Sequence, residues 1–282
     1  MILFADDSTV IVKKGTNSSE DYLSEINNTI NLINKWLTKN NLILNINKTK
    51  IIHFHQRQPQ LDLTVKLNNR IIESVDDITF LGLKLDRGLG WKAHTEYVCL
   101  KINRFTYALR SLSKISNINT VKSAYHAYIS STLRFGVLFW GNSTNRDIVF
   151  RAQKRCIRAM SAIPSTESCL PKFKSLKILT LPLYLYEVLI FVKSHINLFA
   201  EVKVHPINKR LRPRPRNQIR RIKSNTALLH KSFFGWAPRI YNKLPDTLKD
   251  LPLHRFKIHL KNILLDKCYY TIEEFLNDKA II

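Results

Sequence analysis

The segment Ile2-Leu3-Phe4-Ala5-Asp6-Asp7-Ser8-Thr9-Val10-Ile11-Val12 decides how the rest of the sequence is interpreted. Two apolar, β-prone runs flank a pair of adjacent carboxylates, which predicts a strand, a tight turn and a returning strand. Apolar residues on both sides predict a covered sheet, where a charge is costly unless it is paired or metal-bound. Asp6 and Asp7 at the tip could hold divalent cations through their oxygens. Alternatively they are an ordinary turn pair, because Asp side chains bond to their own backbone.

The charge of the chain limits the classes of partner. Its 282 residues include 45 Lys and Arg against 21 Asp and Glu, a net charge of +24. This excess indicates a polyanionic partner, and nucleic acid is the favoured one. A membrane partner is not expected, because no Lys-rich amphipathic anchor stands apart and no apolar run reaches the roughly 20 residues of a spanning helix.

The N-terminus and the cysteines indicate the compartment. The first residues lack a basic segment and carry two acids, so they do not form a signal peptide. Cys99, Cys156, Cys169 and Cys268 are widely spaced, which argues against a zinc site or a disulfide framework and favours buried thiols. We predict an intracellular protein, in the nucleus or cytoplasm and not secreted; its oligomeric state stays open.

Residues 1–88 predict an α+β domain with a helix on one face of a small antiparallel sheet. The helix starts at Ser18 or Ser19 and ends at Asn40-Asn41. Its apolar stripe comprises Leu23, Ile26, Ile30, Ile33 and Leu37. Strands are predicted at residues 42–46, 50–54, 61–65 and 66–72, followed by a strand pair at 78–86.

Residues 89–200 predict an all-α bundle. Its helices carry stripes from Val98 to Leu112, from a cap at Asn119 to Leu133, from Val149 to Met160, and from Leu183 to Phe199, with an aromatic bend at 135–141. A basic Pro/Arg-rich linker at 201–223 and a small helical region at 224–282 complete the predicted organisation. Residues 203–262 hold 16 Lys and Arg and only two acids, Asp246 and Asp250.

In their order and spacing, these motifs resemble the reverse transcriptases of non-LTR (LINE-type) retrotransposons, most closely the jockey-like elements. Phe4-Ala5-Asp6-Asp7 is similar to the catalytic hairpin of the polymerase palm, and Phe80-Leu81-Gly82 to the primer-grip hairpin. Trp91, His94 and Lys101 are spaced like the start of the thumb. The resemblance also takes in Trp36-Leu37, Asn41-Leu42, Asn45, Lys48-Thr49, Trp236, the segment 241–245 and Phe256-Lys257, so it spans essentially the whole chain.

The resemblance implies RNA-directed DNA synthesis by two metal ions. Asp6 and Asp7 would bind two Mg²⁺ ions, and Phe4 and Ala5 would line the nucleotide and the primer end. Lys48 would lie near the leaving phosphates as a proton donor; alternatively it is an exposed loop lysine. The segment 80–82 would press on the primer, or be a plain core hairpin. The implied partners are an RNA template, a DNA primer and deoxynucleoside triphosphates.

The sequence also departs from that family. Such a polymerase needs a third carboxylate on an upstream palm strand and fingers over the nucleotide, yet five residues precede Asp6. The fingers, the nucleotide-selecting segment and the usual N-terminal endonuclease are missing from it as well. We therefore predict a C-terminal fragment, with an unpaired palm edge, that does not polymerise DNA alone. The alternatives are a non-enzymatic RNA- or DNA-binding protein and a decayed transposon remnant.

Two basic segments are candidate nucleic-acid contacts. Lys101, Arg104 and Arg110, with Lys114, could follow a duplex backbone, or they could form a solvated helix face. The arginines of the linker favour an RNA- or DNA-binding arm over an inert tail, and a nuclear-localisation role is compatible. They are Arg210, Arg212, Arg214, Arg216, Arg220 and Arg221. His53 and His55 alternate on one strand, and ordinary sheet or surface histidines are favoured over metal ligands.

Overall fold

The computed structural model describes residues 2–4, 7–13, 19–54, 64–180, 183–200, 218–221, 228–229 and 232–278. The chain divides into two compact units, Met1–Gly90 and Trp91–Ile282. In the described residues, the first unit combines short strands with one long helix, and the second consists of helices. The predicted α+β class is therefore confirmed, while the identity of the first unit as a polymerase palm stays a prediction.

The N-terminal hairpin forms as predicted, but no packed layer buries its apolar side chains in the described residues. Strands β1 (Ile2–Phe4) and β2 (Asp7–Thr9) pair antiparallel, with Phe4 opposite Asp7. No third described strand joins them. The Ile2 and Phe4 side chains are 47% and 62% exposed, so the expectation of a covered sheet is wrong. Two strands of three residues offer too little surface to bury their apolar side chains without a packed layer.

The core of the first unit lies between one helix and a three-stranded sheet. Helix α1 (Ser19–Lys39) begins and ends as predicted, with Glu20 and Asp21 in its first turn, where the helix dipole favours acids. The sheet has the order β3-β5-β4, formed by β3 (Lys50–Ile52), β5 (Arg70–Val75) and β4 (Val65–Leu67). The buried side chains of this core come from both layers. They are Tyr22 and Ile26 of α1 and Val65, Leu67 and Ile72 of the sheet.

Two details of this sheet differ from the predictions. Residues 42–46 do not form a strand: 42–45 lack regular structure, between Asn41 with a left-handed φ of 57° and a turn at 46–48. The sheet is not purely antiparallel, since β3 pairs with β5 in parallel. β4 and β5 turn at Asn68 and Asn69, whose φ values of 49° and 62° suit the tight turn of a hairpin. Residues 55–63, which include His55 and most of the strand predicted at 61–65, lie outside the described residues.

The last strand pair of the first unit matches its prediction. Strands β6 (Asp77–Phe80) and β7 (Leu83–Asp86) pair antiparallel, and the chain turns at Leu81-Gly82. Both turn residues have a positive φ, 45° for Leu81 and 83° for Gly82, as in a type I′ hairpin turn.

The second unit contains the helices of the predicted bundle. In chain order they are α2 (Lys92–Ile115), α3 (Ile118–Tyr125), a π-helical turn (His126–Ser130), α4 (Ser131–Arg134), α5 (Val137–Trp140), α6 (Arg146–Ser161), α7 (Leu170–Leu176), α8 (Leu183–Ser194), α9 (Ile196–Ala200), α10 (Phe233–Asn242), α11 (Asp246–Lys249), α12 (Leu253–Lys267) and α13 (Ile272–Asn277). The apolar helix α8 is central as predicted: Leu185, Val188, Leu189 and Val192 are fully buried, and α8 packs on α4, α5, α10 and α12.

Three element boundaries in this unit differ from the predicted ones. The cap of α3 is Asn117 rather than Asn119, because the Asn117 Oδ1 accepts a 3.0 Å bond from the Thr120 backbone N–H. The aromatic bend forms the short helix α5 after Gly136, whose φ is 61°. The helix predicted from 183 to 199 is interrupted at His195, giving α8 and α9. All four cysteines are free and buried, as predicted.

Within the described ranges, no helix is both long and apolar enough to cross a lipid bilayer.

Candidate nucleic-acid interface

Two long helices of the second unit pack side by side in the same direction. The Arg155 Nη2 of α6 donates to the Asn103 Oδ1 of α2 at 3.1 Å. Further along both helices, the Ser113 hydroxyl donates to the Ala159 carbonyl at 3.3 Å. Residues later in α2 therefore contact residues later in α6, so the two helices run in the same direction.

The exposed sides of this helix pair are basic. Each helix carries five Lys or Arg residues and one acid. Arg151 and Arg155 are exposed one turn apart on α6. On α2, Arg110 lies two turns after Asn103 on the same side, with Lys114 a further turn along. We call Arg110, Lys114, Arg151 and Arg155 the α2–α6 basic face.

The acids of both helices lie at their N-terminal ends. Glu96 stands in the second turn of α2, and Asp147 in the first turn of α6. Negative charge is favoured there by the helix dipole. In the described part of the chain, the four cations of the α2–α6 basic face form no ion pair with a carboxylate. These charges are therefore available to phosphate groups.

The thiols next to this face are chemically quiet. Burial raises the pKa of Cys99, although the Arg155 and Arg151 guanidinium groups oppose that shift. Burial also raises the pKa of Cys156 to about 11, against a hydrogen bond shared with Thr106, whose Oγ1 lies 2.6 Å from the sulfur. A protonated thiol is a poor nucleophile at neutral pH, so these cysteines serve packing rather than chemistry.

The structure separates the basic residues predicted on α2. Arg104 and Arg110 are six residues apart, so they lie about 120° from each other around the helix axis. The half-buried Lys101 places its Nζ 4.5 Å above the Tyr97 ring, away from α6. Only Arg110, with Lys114, lies on the side of α2 that faces α6. The predicted stripe is therefore two separate clusters.

Of the linker arginines, Arg220 and Arg221 are described, whereas Arg210, Arg212, Arg214 and Arg216 lie outside the described residues. The segment around them is fixed to α10, since the Asn242 amide accepts from the Ile219 N–H and donates to the Ile219 carbonyl, both at 2.8 Å. Arg221 is exposed and Arg220 is half-buried.

The predicted catalytic residues lie in the first unit. Asp7 is exposed at the start of β2, opposite the exposed Phe4, while Ala5 and Asp6 lie outside the described residues. Lys48 is exposed in a turn, where its backbone N–H donates to the Asn45 carbonyl at 3.1 Å. Among the described contacts, Lys48 and Asp7 form no hydrogen bond or ion pair with each other.

The described residues offer no ready cage for magnesium. No group of three His, Cys, Asp or Glu side chains that could hold a metal ion occurs within the described ranges. Asp7 alone gives one carboxylate, whereas Mg²⁺ prefers an octahedral oxygen shell completed by further ligands and water. Asp6, the other predicted ligand, lies outside the described residues, so the two-ion site that the resemblance implies stays a prediction.

The segment Phe80-Leu81-Gly82 forms the end of β6 and the turn that follows it. Leu81 is an unusual residue for a left-handed φ, which costs a residue with a Cβ atom roughly 1–2 kcal/mol. Its side chain is 38% exposed at this turn. Local strain of this kind is concentrated at functional sites, although a tight hairpin also explains it.

Sequence reasoning missed the cations of α6. The pattern of buried residues on α6 was predicted correctly, but Arg151 and Arg155 on the opposite face were not identified as candidate contacts. Their spacing of four residues, away from the apolar stripe, was a usable signal. Their position beside α2 was not, because it depends on tertiary packing.

Comparisons of the chain with protein-family models, with curated proteins and with solved structures found no match in any of the three. The likeness to reverse transcriptases therefore depends on the sequence motifs alone.

Proposed function

We propose that this chain binds nucleic acid through the α2–α6 basic face, as the thumb-like part of a protein related to the reverse transcriptases of non-LTR retrotransposons. The observation that carries this proposal is the parallel packing of α2 and α6, which sets Arg151 and Arg155 beside the Arg110 side of α2. Cations held on rigid helices bind phosphates without sequence preference.

The spacing of these cations suits a polynucleotide backbone. Arg151 and Arg155 are about 6 Å apart along the helix axis, so both side chains can reach the same strand. The Asn103 side chain holds Arg155 in place, which lowers the entropy lost when a phosphate is bound. The proposed partners are an RNA template and a DNA primer.

The binding proposal is tested by fluorescence anisotropy with a labelled RNA–DNA hybrid at several salt concentrations. We expect R151Q/R155Q to weaken binding and to reduce the slope of log Kd against log salt by about 2, because each phosphate contact contributes about 0.9. The matched control is K35Q/K39Q, which removes two exposed cations one turn apart on α1. Equal losses in both variants would show that only net charge matters and would refute a defined face.

A second proposal concerns the reaction. We propose that Asp6 and Asp7 descend from a two-Mg²⁺ polymerase centre acting on deoxynucleoside triphosphates, and that the 282-residue chain does not extend a primer alone. The hairpin that pairs Phe4 with Asp7 and the Leu81-Gly82 turn support the relationship.

Templated primer extension tests this second proposal directly. The purified chain is supplied with Mg²⁺, the four deoxynucleoside triphosphates and a primed RNA template, with D6N/D7N as the paired variant. We expect no extension by either protein. Extension by the unchanged chain that is lost in D6N/D7N would refute inactivity and would establish the carboxylates as catalytic.

A further inference from the structure

A second basic site lies at an open cavity of the helical unit, lined by side chains other than those of the α2–α6 basic face. A cavity of about 550 Å³ opens between α3, the π-helical turn, α4, the segment after α7, α8 and α12. Five basic side chains line it: Lys122, His126, Arg134, Lys177 and Lys261. No Asp or Glu is among the described residues of its wall.

Most of this positive charge is uncompensated. The Arg134 Nη2 lies 2.7 Å from the Glu187 Oε1, so this one cation is paired. Lys122, Lys177 and Lys261 form no ion pair with any carboxylate in the described part of the chain. Lys177 and Lys261 are exposed and Lys122 is half-buried, so a bound anion would reduce the repulsion among them.

The histidine in the wall responds to these neighbours. Burial lowers the pKa of His126, and the nearby Lys122, Lys261 and Arg134 cations lower it further.

A buried amide in the wall lacks one partner. Gln153 is only 1% exposed, and its Nε2 donates to the Tyr125 hydroxyl at 3.0 Å and to the Leu179 carbonyl at 2.9 Å. Its Oε1 is buried and accepts no hydrogen bond from the described residues. Buried acceptors are normally satisfied, so this oxygen offers an acceptor to a water molecule or to a ligand donor.

Two local backbone features place side chains at the cavity. The π-helical turn carries His126 and Ser130, and single π-turns within helices occur frequently at functional sites. Lys177 caps the C-terminus of α7 with a left-handed φ of 52°, a position that favours glycine. A lysine occupies this position, and its side chain lines the cavity.

We propose that this cavity binds a phosphate-bearing ligand of about nucleotide size that also carries hydroxyl or N–H donors. The unpaired lysines suit the phosphate oxygens, and the Gln153 Oε1 suits a donor of the ligand. The cavity volume lies within the range of about 300–1,000 Å³ that holds small molecules. The phosphate belongs either to a free nucleotide or to the 5′ end of a nucleic-acid strand.

The test is isothermal titration calorimetry on the full chain at about 150 mM salt, where weak surface electrostatics are screened. The probes are inorganic phosphate, ADP and a hexanucleotide with either a 5′-phosphate or a 5′-hydroxyl. The variants are K122Q/K261Q and K177G, and K35Q/K39Q is the control with the same charge loss as the double variant. K177G is expected to keep the fold, because glycine adopts the left-handed conformation without steric cost.

We expect at least one phosphate-bearing probe to bind, and binding to weaken about tenfold or more in K122Q/K261Q and in K177G but not in the control. ADP binding would identify a free nucleotide, and dependence on the 5′-phosphate would identify a strand end. Absence of binding by all phosphate-bearing probes, or equal weakening in the control, would overturn the proposal. Failure of the α2–α6 basic face to bind nucleic acid leaves this test unchanged.

Discussion

At the scale of single residues, the pKa of His126 is affected by burial and by the cations around the cavity. Its ring lies at the cavity with Lys122, Lys261 and Arg134 close by, and the Arg134 charge is shared with Glu187. Burial and these cations lower its pKa below the ordinary value of about 6.5. The neutral imidazole is therefore the form that the folded protein favours.

The lowered pKa of His126 predicts a specific pH dependence. The unfolded chain binds more protons than the folded chain at pH values between the folded pKa and about 6.5. The free energy of unfolding therefore decreases as the pH falls through this interval, and His126→Asn removes that part of the decrease. Urea denaturation of both proteins between about pH 7.5 and 5 measures it. A constant difference between the two proteins over this range would contradict the lowered pKa.

At the scale of secondary-structure elements, capping decides where α3 begins. The Asn117 side chain accepts from the Thr120 N–H at 3.0 Å, whereas Asn119 lies exposed inside the helix. We expect Asn117→Ala to lower the free energy of unfolding by about 1 kcal/mol, since the loss of a cap typically costs this much. Asn119→Ala is the matched control, and its effect should be smaller. The reverse ranking, measured by chemical denaturation, would show that the cap is at Asn119.

The turn between β6 and β7 gives a second prediction for an element. Leu81 adopts a φ of 45°, so Leu81→Gly relieves steric strain and is expected to raise the free energy of unfolding by about 1 kcal/mol. The control Asn69→Gly, at a φ of 62°, should change stability less, because asparagine tolerates this conformation. If Leu81 contacts a primer, L81G should also weaken binding of an RNA–DNA hybrid while it stabilises the protein. Destabilisation by L81G would mean that packing of the leucine side chain outweighs its strain.

At the scale of the whole molecule, the two units differ in how well they bury apolar side chains. The second unit has a continuous helical core, with Trp140, Phe173 and Phe256 fully buried. In the first unit, Phe4 and Ile43 are 62% and 96% exposed. Such side chains destabilise an isolated small domain and promote association.

This contrast predicts different behaviour of the units when they are produced separately. Residues 91–282 should unfold cooperatively and give a helical circular dichroism spectrum, because their core is largely complete. Residues 1–90 should bind the dye ANS, because apolar side chains are exposed and the sheets are small. Cooperative unfolding of residues 1–90 without ANS binding would contradict this expectation.

The sequence by itself determined those features that depend on neighbours along the chain. The apolar stripe of α1, the inward residues of α6 and the strand pair at 78–86 were predicted because periodicity and turn chemistry act over a few residues. The exact cap of α3 was predicted two residues late, since two asparagines with similar surroundings compete for the same role.

The tertiary structure alone decided which of these faces meet. An apolar stripe shows that a helix face is buried but does not identify its partner, so the parallel packing of α2 on α6 and the parallel pairing of β3 with β5 could not be predicted. The cavity brings Lys122, Gln153 and Lys261 together from distant helices, and no local pattern encodes that convergence. The physical reason is that burial of apolar surface is non-directional, so the partner is selected only when the whole core packs.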